Sequence, residues 1–282
     1  MVIQVLNGLV FSGLLYIVSA GLVLTFGLRH VVNFAHGTLF MVGAYVGFAA
    51  AAATSFWLGL IAAVLVLAAL GMALDAAVFR PLQREDPLTT LLVTFGLSLV
   101  LVDAAQTIWG KDLRAMPVPE ALAGSIQIAG EAFPAYRLAV ILVAAVVAGG
   151  LSLWLQYSRI GLYVRASSAD PTVTAIQGVN TNAVSALVVA VGIGLTGLAG
   201  AIAAPLLALS PTMGDTIVIQ CFMIVVIGGL GSFSGAFIAA ILIGQVYSFG
   251  IVYLPWASTV LPFLLMVSVL IWRPTGLLGR RA

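Results

Sequence analysis

The chain is poor in charge. Only 7% of its 282 residues are Asp, Glu, Lys or Arg, whereas an average soluble domain carries roughly 25%. Eleven basic and nine acidic side chains cannot solvate a chain of this length, which excludes a soluble enzyme. A single cysteine, Cys221, excludes a disulfide framework and a cysteine-based zinc site. The net charge of +2 is too small and too scattered for nucleic-acid binding. There is no G-x-x-x-x-G-K-[ST] phosphate loop, so ATP is not bound by that route. No nucleophile–base pair or metal cluster stands out as catalytic. Met1 runs straight into apolar sequence with neither a basic n-region nor an A-x-A site, so the N-terminus does not read as a cleavable signal peptide.

What the chain has is hydrophobic length. Apolar side chains make up 62% of it, and the mean hydropathy is +1.21. Apolar runs cover residues 5–28, 31–54, 56–79, 88–109, 137–157, 183–209, 216–230, 233–250 and 257–272. Most approach the ~20 residues that a helix needs to cross a bilayer. Backbone groups in lipid must be satisfied internally, and the short alternating segments of a barrel are absent. The sequence therefore predicts an all-α, polytopic transmembrane helix bundle of about 8–9 spans, forming one domain over residues 1–282. The connections carrying Arg29, Arg80, Arg84, Arg159 and Arg165 and the tail with Arg273, Arg280 and Arg281 fall on one side, leaving Lys111, Arg114 and Arg137 on the other. The positive-inside rule then places the N-terminus outside and the C-terminus in the cytoplasm.

Two connections exceed a turn. Residues 110–136, with Pro117, Pro119 and Pro134, form a partly ordered external loop. Residues 158–182 form the largest cytoplasmic segment, and within it a short helix has both ends marked. Asp170 suits the N-cap, Pro171 the first helical position and Gly178 the left-handed closing position. A helix this short is marginal alone in water, so it lies against its own bundle or against another surface.

The membrane pattern is irregular in two places. The run 216–230 is short, and the sequence from Gly228 and Gly229 to Gly235 holds several glycines. Either the helix breaks at membrane depth beside a cavity, or the glycines make a tight hairpin at the cytoplasmic surface. The second place is Asn33-Phe34-Ala35-His36-Gly37. In a helix Asn33 and His36 would share a face; they then line or gate a path, or else bond across helices and cap a broken turn. Asp75 and Asp103 lie inside apolar runs near span ends, where charges are usually paired or wet. Asp75 stands five residues before Arg80, close to the cytoplasmic interface. Small residues from Gly192 to Ala204 mark close packing along one span.

These pieces together resemble the membrane-spanning permease subunit of branched-chain amino acid (hydrophobic amino acid uptake) ABC importers, over nearly the full length. The resemblance rests on Asn33-Phe34-Ala35-His36-Gly37 followed by Met41 to Tyr45, Thr94-Phe95-Gly96-Leu97-Ser98, Ala169-Asp170 through Ala175, Gly178-Val179-Asn180, and the stretch Gly228 to Ala236. It implies a bacterial cytoplasmic (inner) membrane complex. A second permease subunit, identical or related, would complete the channel, with two cytoplasmic ATPase subunits holding ATP and Mg, and an extracytoplasmic solute-binding protein. This chain would itself carry no cofactor and no ATPase site. The segment Asp170, Pro171, Thr174, Ala175 and Gly178 becomes the expected coupling helix. It departs from the E-A-A-x3-G signature of other importers, because Thr174 stands where an acid is expected. Asn33, His36, Thr94, Ser98, Gln220, Gly228 and Gly229 are the candidates for the translocation path. The solute would be a branched-chain amino acid or a related urea, amide or aromatic acid. The rival readings are an aquaporin-type channel and an ion-coupled carrier. Such a channel repeats an Asn-Pro-Ala turn, whereas Asn33-Phe34-Ala35 lacks the proline and has no second copy. The acids do not supply an ion site for a carrier. A faint likeness between residues 34–47 and 233–247 reads as chance.

Overall fold

The computed structural model describes residues 1–29, 31–83, 85–128 and 130–279. Arg84, Arg280 and Arg281 of the charge count lie outside them. The fold is the expected all-α bundle. The helices are α1 (Val2–Arg29), α2 (His36–Ala53), α3 (Phe56–Leu74), running through a π turn (Asp75–Phe79) into α4 (Arg80–Leu82), α5 (Pro87–Trp109), α6 (Ala135–Tyr157), α7 (Arg159–Ala169), α8 (Pro171–Ile176), α9 (Thr181–Ala203), α10 (Met213–Gly228), α11 (Phe233–Tyr253) and α12 (Leu261–Trp272). Among the described residues seven helices are long and apolar enough to span a membrane, while α10 and α12 are shorter. α1 and α9 form the enclosed centre, and α5 and α6 show most of their surface.

Helix starts follow local chemistry. Asp86 accepts from the Thr89 N–H at 3.1 Å and precedes Pro87. These hydrogen bonds from Thr89 hold its carboxyl below the usual carboxylate range. Ser55, Ser158, Asn180 and Ser232 cap α3, α7, α9 and α11 in the same way. Each satisfies an N–H that the first turn leaves free. Ser55 also confirms the α2–α3 boundary that no charge marks. Residues 110–136 are more ordered than expected: Ser125–Ile128 (β1) and Glu131–Pro134 (β2) pair antiparallel, with Ser125 opposite Pro134 and Ile128 opposite Glu131. Residues 158–182 hold two helices, α7 and α8, not one.

Two of the long apolar runs are broken. The run 31–54 becomes helical only at His36, and the run 183–209 leaves the helix at Ala203. Residues 31–35 run back along α1, so that His36 at the start of α2 meets the Val18 carbonyl, about three turns before α1 ends. Residues 204–212 likewise fold inward, and α10 starts against α2: a methyl group on Gly37 would run into the Gly214 carbonyl, and one on Gly214 into the Gly37 carbonyl. The same reciprocity joins Gly21 of α1 and Gly192 of α9. α1 and α9 are antiparallel, and α1 packs on α11 as α9 packs on α3. The chain therefore contains one motif twice in opposite directions: long helix, break, a shorter helix that begins part-way along the long one, helix; α2 and α10 are called half-helices for that starting point and not for their length. The pairs Gly21/Gly192 and Gly37/Gly214 mark where the copies meet. Inverted repeats of this kind are common among transporters. The likeness of 34–47 to 233–247 is not this repeat, because it matches the first half-helix to the helix after the second.

Asp75 is fully enclosed. Its carboxylate takes a two-pronged bond from Arg29, with Nε and Nη2 each at 2.7 Å from an oxygen, and a third from Arg80 Nε at 2.9 Å. Arg29 Nη1 donates to Gln83 Oε1 at 2.7 Å. The sequence placed Asp75 near Arg80, and the structure adds Arg29 as the principal partner. The cluster ties α1 to the end of α3. Asp103, by contrast, sits exposed on α5.

Removing one member of a buried pair strands the other, at a cost of about 3–5 kcal/mol. Asp75→Asn is expected to lower the thermal unfolding midpoint of the detergent-purified chain sharply, while Glu85→Gln at the exposed neighbouring connection leaves it unchanged. Gly37→Val is expected to prevent a stable fold, because the added side chain meets backbone; a normally eluting, thermally stable variant on size exclusion would contradict the proposed contact of the two half-helices.

Candidate functional site

The polar groups of the interior collect where the half-helices begin. His36 Nε2 lies 2.9 Å from the Val18 carbonyl and 3.2 Å from Thr196 Oγ1. The carbonyl can only accept, so Nε2 carries the proton. Thr196 donates its own hydrogen to the Gly192 carbonyl at 2.9 Å. Nδ1 is then a bare acceptor, enclosed and without a partner among the described residues. Asn33 is not on the face of a helix with His36, as the spacing suggested. It lies in the break, where its Oδ1 accepts from the Ala35 N–H at 3.0 Å and its Nδ2 has no partner among the described residues. This is the turn-capping alternative: a side chain replaces the missing helical neighbour.

Thr94 holds the same break from α5. Its hydroxyl accepts from the Phe34 N–H at 3.3 Å and lies 2.9 Å from the Thr90 carbonyl and 3.3 Å from the Val32 carbonyl. The ring of Phe34 meets that of Phe222 on α10 with centroids 5.0 Å apart. Gln220, also on α10, is buried with Oε1 unpartnered among the described residues. Asn33 and Thr94 thus meet the chain within the break, and His36, at the start of the helix that follows, meets Thr196. The two halves carry the same pattern, Gly21-Leu22-Val23-Leu24-Thr25 and Gly192-Ile193-Gly194-Leu195-Thr196, with each threonine bonded back to its glycine carbonyl. That repeated G-x-x-L-T was the available signal for Thr196. The set offers neutral donors and acceptors at a helix discontinuity, with no fixed charge.

The other path candidates lie apart. Ser98 turns back onto the Phe95 carbonyl at 2.6 Å. Gly228 and Gly229 form the tight hairpin between α10 and α11. Gly228 packs on Gly235, Gly229 takes a φ of 98°, and the tail clasps them through Leu277 N–H to the Ile227 carbonyl at 2.7 Å and Leu278 N–H to the Gly228 carbonyl at 3.1 Å. The second break is held from outside instead: Arg114 and Leu209 exchange backbone hydrogen bonds at 3.1 and 2.8 Å, so the external loop fastens residues 204–212.

The short helix α8 has the predicted ends. Asp170 Oδ1 accepts from Thr172 and Val173 N–H groups, each at 2.9 Å. Pro171 follows it, and Gly178 closes the turn at φ 83° with its N–H on the Ala175 carbonyl at 3.0 Å. Thr174 faces inward and its hydroxyl bonds the Asp170 carbonyl at 2.7 Å. Val173 and Ile176 point outward, 52% and 78% exposed. Ser168 at the end of α7 donates to the Gly27 carbonyl of α1.

Residues 4–270 match the family model described as branched-chain amino acid transport system / permease component. Among curated proteins, the chain is 29% identical to the high-affinity branched-chain amino acid transport system permease protein BraD of Pseudomonas aeruginosa, with 98% of this chain and 95% of that protein covered. It is 27% identical to the corresponding permease protein LivH of Salmonella typhimurium over the same shares. It is 25% identical to the probable branched-chain amino acid transport permease protein LivH of Methanocaldococcus jannaschii, covering 98% and 92%. No solved structure matches. With nine-tenths of its length inside the family model and its helices forming a multi-pass bundle, the chain belongs to the permease components of branched-chain amino acid transport systems, and is a transport subunit rather than an enzyme.

Proposed function

We propose that this chain is the membrane permease of an ATP-driven importer in a bacterial inner membrane, moving a branched-chain amino acid or a related small solute handed over by an extracytoplasmic binding protein. The observation that carries the reading is α8, a six-residue helix that turns two apolar side chains outward on the cytoplasmic side. Such a helix gains stability from a surface to lie against, and fully burying a Val or Ile side chain contributes about 1.5–3 kcal/mol. A groove on a cytoplasmic ATPase is the surface that the family membership suggests. Asp170, Pro171, Thr174, Ala175 and Gly178 build the helix, and Val173 and Ile176 make the contact. ATP and Mg belong to that partner.

The transmission route is short. α8 follows α7, α7 touches α1 through Ser168 and Gly27, and α1 ends in the Arg29–Asp75 pair just before the first break. ATP-driven closure of the ATPase pair would push α8 and rock this unit. The half-helices α2 and α10 would then move relative to each other at Gly37 and Gly214, in a rigid-body exchange between outward and inward access with a second permease subunit. Asn33, His36, Thr94 and Gln220 would be the polar groups at that junction. Ser98, Gly228 and Gly229 do not share it.

Ile176→Asp places a charge in the proposed contact. It is expected to lower co-purification of the separately encoded ATPase by at least about tenfold, the scale of losing one buried apolar anchor, with the permease still folded. Asp170→Lys removes the cap, worth about 1 kcal/mol. It is expected to reduce ATP-driven uptake in proteoliposomes while leaving thermal stability of the chain nearly unchanged. Wild-type ATP-driven transport in both variants would overturn the assignment of α8. Solute movement by the reconstituted chain alone, without ATP, would favour the channel instead.

A further inference from the structure

The outer end of the bundle holds three basic side chains, and they differ in what they have left to offer. Arg114 spends Nη2 on the Trp109 carbonyl at 2.6 Å and lies over the Phe48 ring at 5.8 Å. Lys111 stands on the exposed loop. Arg137, in the first turn of α6, is different. Its Nη1 donates to Asn7 Oδ1 on α1 at 2.6 Å, which turns the guanidinium toward the bundle, and no carboxylate lies within 4.0 Å of it among the described residues. A guanidinium has five N–H donors in a planar fork that fits a carboxylate.

Arg137 and Asn7 line a cavity of about 410 Å³ between the outer ends of α1 and α11 and the start of the second break. Ligand cavities usually run from roughly 300 to 1,000 Å³. Its remaining wall is largely apolar, including Phe11, Leu14, Leu206 and Ile251. No acidic side chain lines it. Leu206 belongs to residues 204–212, which lead to the N-terminus of α10. That helix end already has Asp215 in its own first turn, and the start of α2 is enclosed around His36. Neither half-helix end is free to take an anion, so the positive charge that faces this cavity is that of Arg137. A larger cavity of about 560 Å³ between α1, α6 and α11 has no charged side chain in its wall.

We infer that this outer cavity is a substrate vestibule for a small solute with a carboxylate and an apolar body, with the carboxylate on the free edge of Arg137 and the body against Phe11, Leu14 and Ile251. The inference rests on the importer reading and narrows its solute class. It favours a branched-chain amino acid over urea or an amide, because neither of those brings an anion to the guanidinium, and it disfavours cationic amino acids, which would meet Arg137 with no acid to offset it.

The test uses the complete complex with its ATPase and loaded binding protein in proteoliposomes, with leucine and leucinamide as probes. Arg137→Gln is expected to lower leucine uptake by at least about tenfold, the scale of one charge-assisted hydrogen-bond pair. ATP hydrolysis stimulated by the loaded binding protein should stay within about twofold of wild type, which also reports an intact fold. Arg137→Lys should recover part of the uptake. Asn7→Asp, which supplies Arg137 with a carboxylate of its own, should reproduce the loss. Leucinamide should be a poor solute throughout. Wild-type leucine uptake in both Arg137→Gln and Asn7→Asp overturns the site. So does a loss matched by failure of the binding protein to stimulate hydrolysis, which would make Arg137 a docking residue. A deficit in Arg137→Gln that appears or vanishes with the phosphate content of the lipid would assign the guanidinium to headgroups and equally overturn it. A wild-type complex that carries no amino acid with ATP would refute the importer reading itself, a result separate from any difference between variants.

Discussion

Everything in this fold follows from the need to interrupt two membrane helices without leaving backbone groups stranded. In an apolar medium an unpaired N–H or C=O costs several kcal/mol, so a break is tolerated only where protein supplies the missing partners. The first break has them in Asn33, which bonds the Ala35 N–H, and in Thr94, which reaches Phe34 from another helix. The second is fastened by backbone exchange between Leu209 and Arg114. The half-helices that result can touch only because Gly37 and Gly214 have no side chains. The spans behind them touch only because Gly21 and Gly192 have none. A bundle with larger residues at these four places would hold its helices apart and lose the junction where the polar groups meet.

The same constraint explains where charge is spent. The chain has few ionised groups, and one carboxylate, Asp75, is enclosed between two arginines. Such a pair adds little net stability over an apolar core. What it does here is fix geometry, because the two-pronged bond sets Arg29 and the end of α3 in one register at the point where the chain turns back toward His36. The end of α1 is thereby joined to α3 on one side and, through Gly27 and Ser168, to α7 on the other. Contacts thus run from α7, which precedes α8, through Gly27 and Arg29 of α1 to the end of α3.

The general architecture was legible because composition and run length respond directly to the bilayer. The capped helix at Asp170 was legible because caps are local chemistry: the carboxylate, the proline and the glycine each act on their own few residues. Ser55 and Ser232 belong to the same class. The breaks were only half legible. Asn33 drew notice as a polar residue in an apolar run, yet sequence spacing put it on a helix face with His36, and only the fold shows the chain doubling back. The second break lies in sequence as apolar as the helix it ends, and its local signal is Pro205, which has no N–H to continue the helix and disfavours helical geometry in the residue before it; Arg114, 95 positions away in sequence, then fastens Leu209. The inverted repeat was still less legible. Two short patterns survive in both copies, G-x-x-L-T in α1 and α9 and S-F-x-x-x-x-I-A-A-x-L from the caps Ser55 and Ser232 of α3 and α11, and the rest of the symmetry lies in which backbones touch.

The two copies are alike in backbone and different in chemistry, and that difference gives the junction a direction. The first half-helix starts with an enclosed imidazole and a capping amide; the second starts with an exposed carboxylate, Asp215. Both helix N-termini are positive ends. One is buried in uncharged polar contacts and the other is complemented by its own first turn, so the middle of the bundle presents no net charge to a passing solute. A zwitterion crossing it would find hydrogen-bond partners but no deep electrostatic well. A conduit benefits from that arrangement, since a site that bound tightly at its centre would release slowly. On the vestibule proposed above, selection by charge would lie at the outer end, before the breaks are reached, where Arg137 faces a cavity with donors unspent.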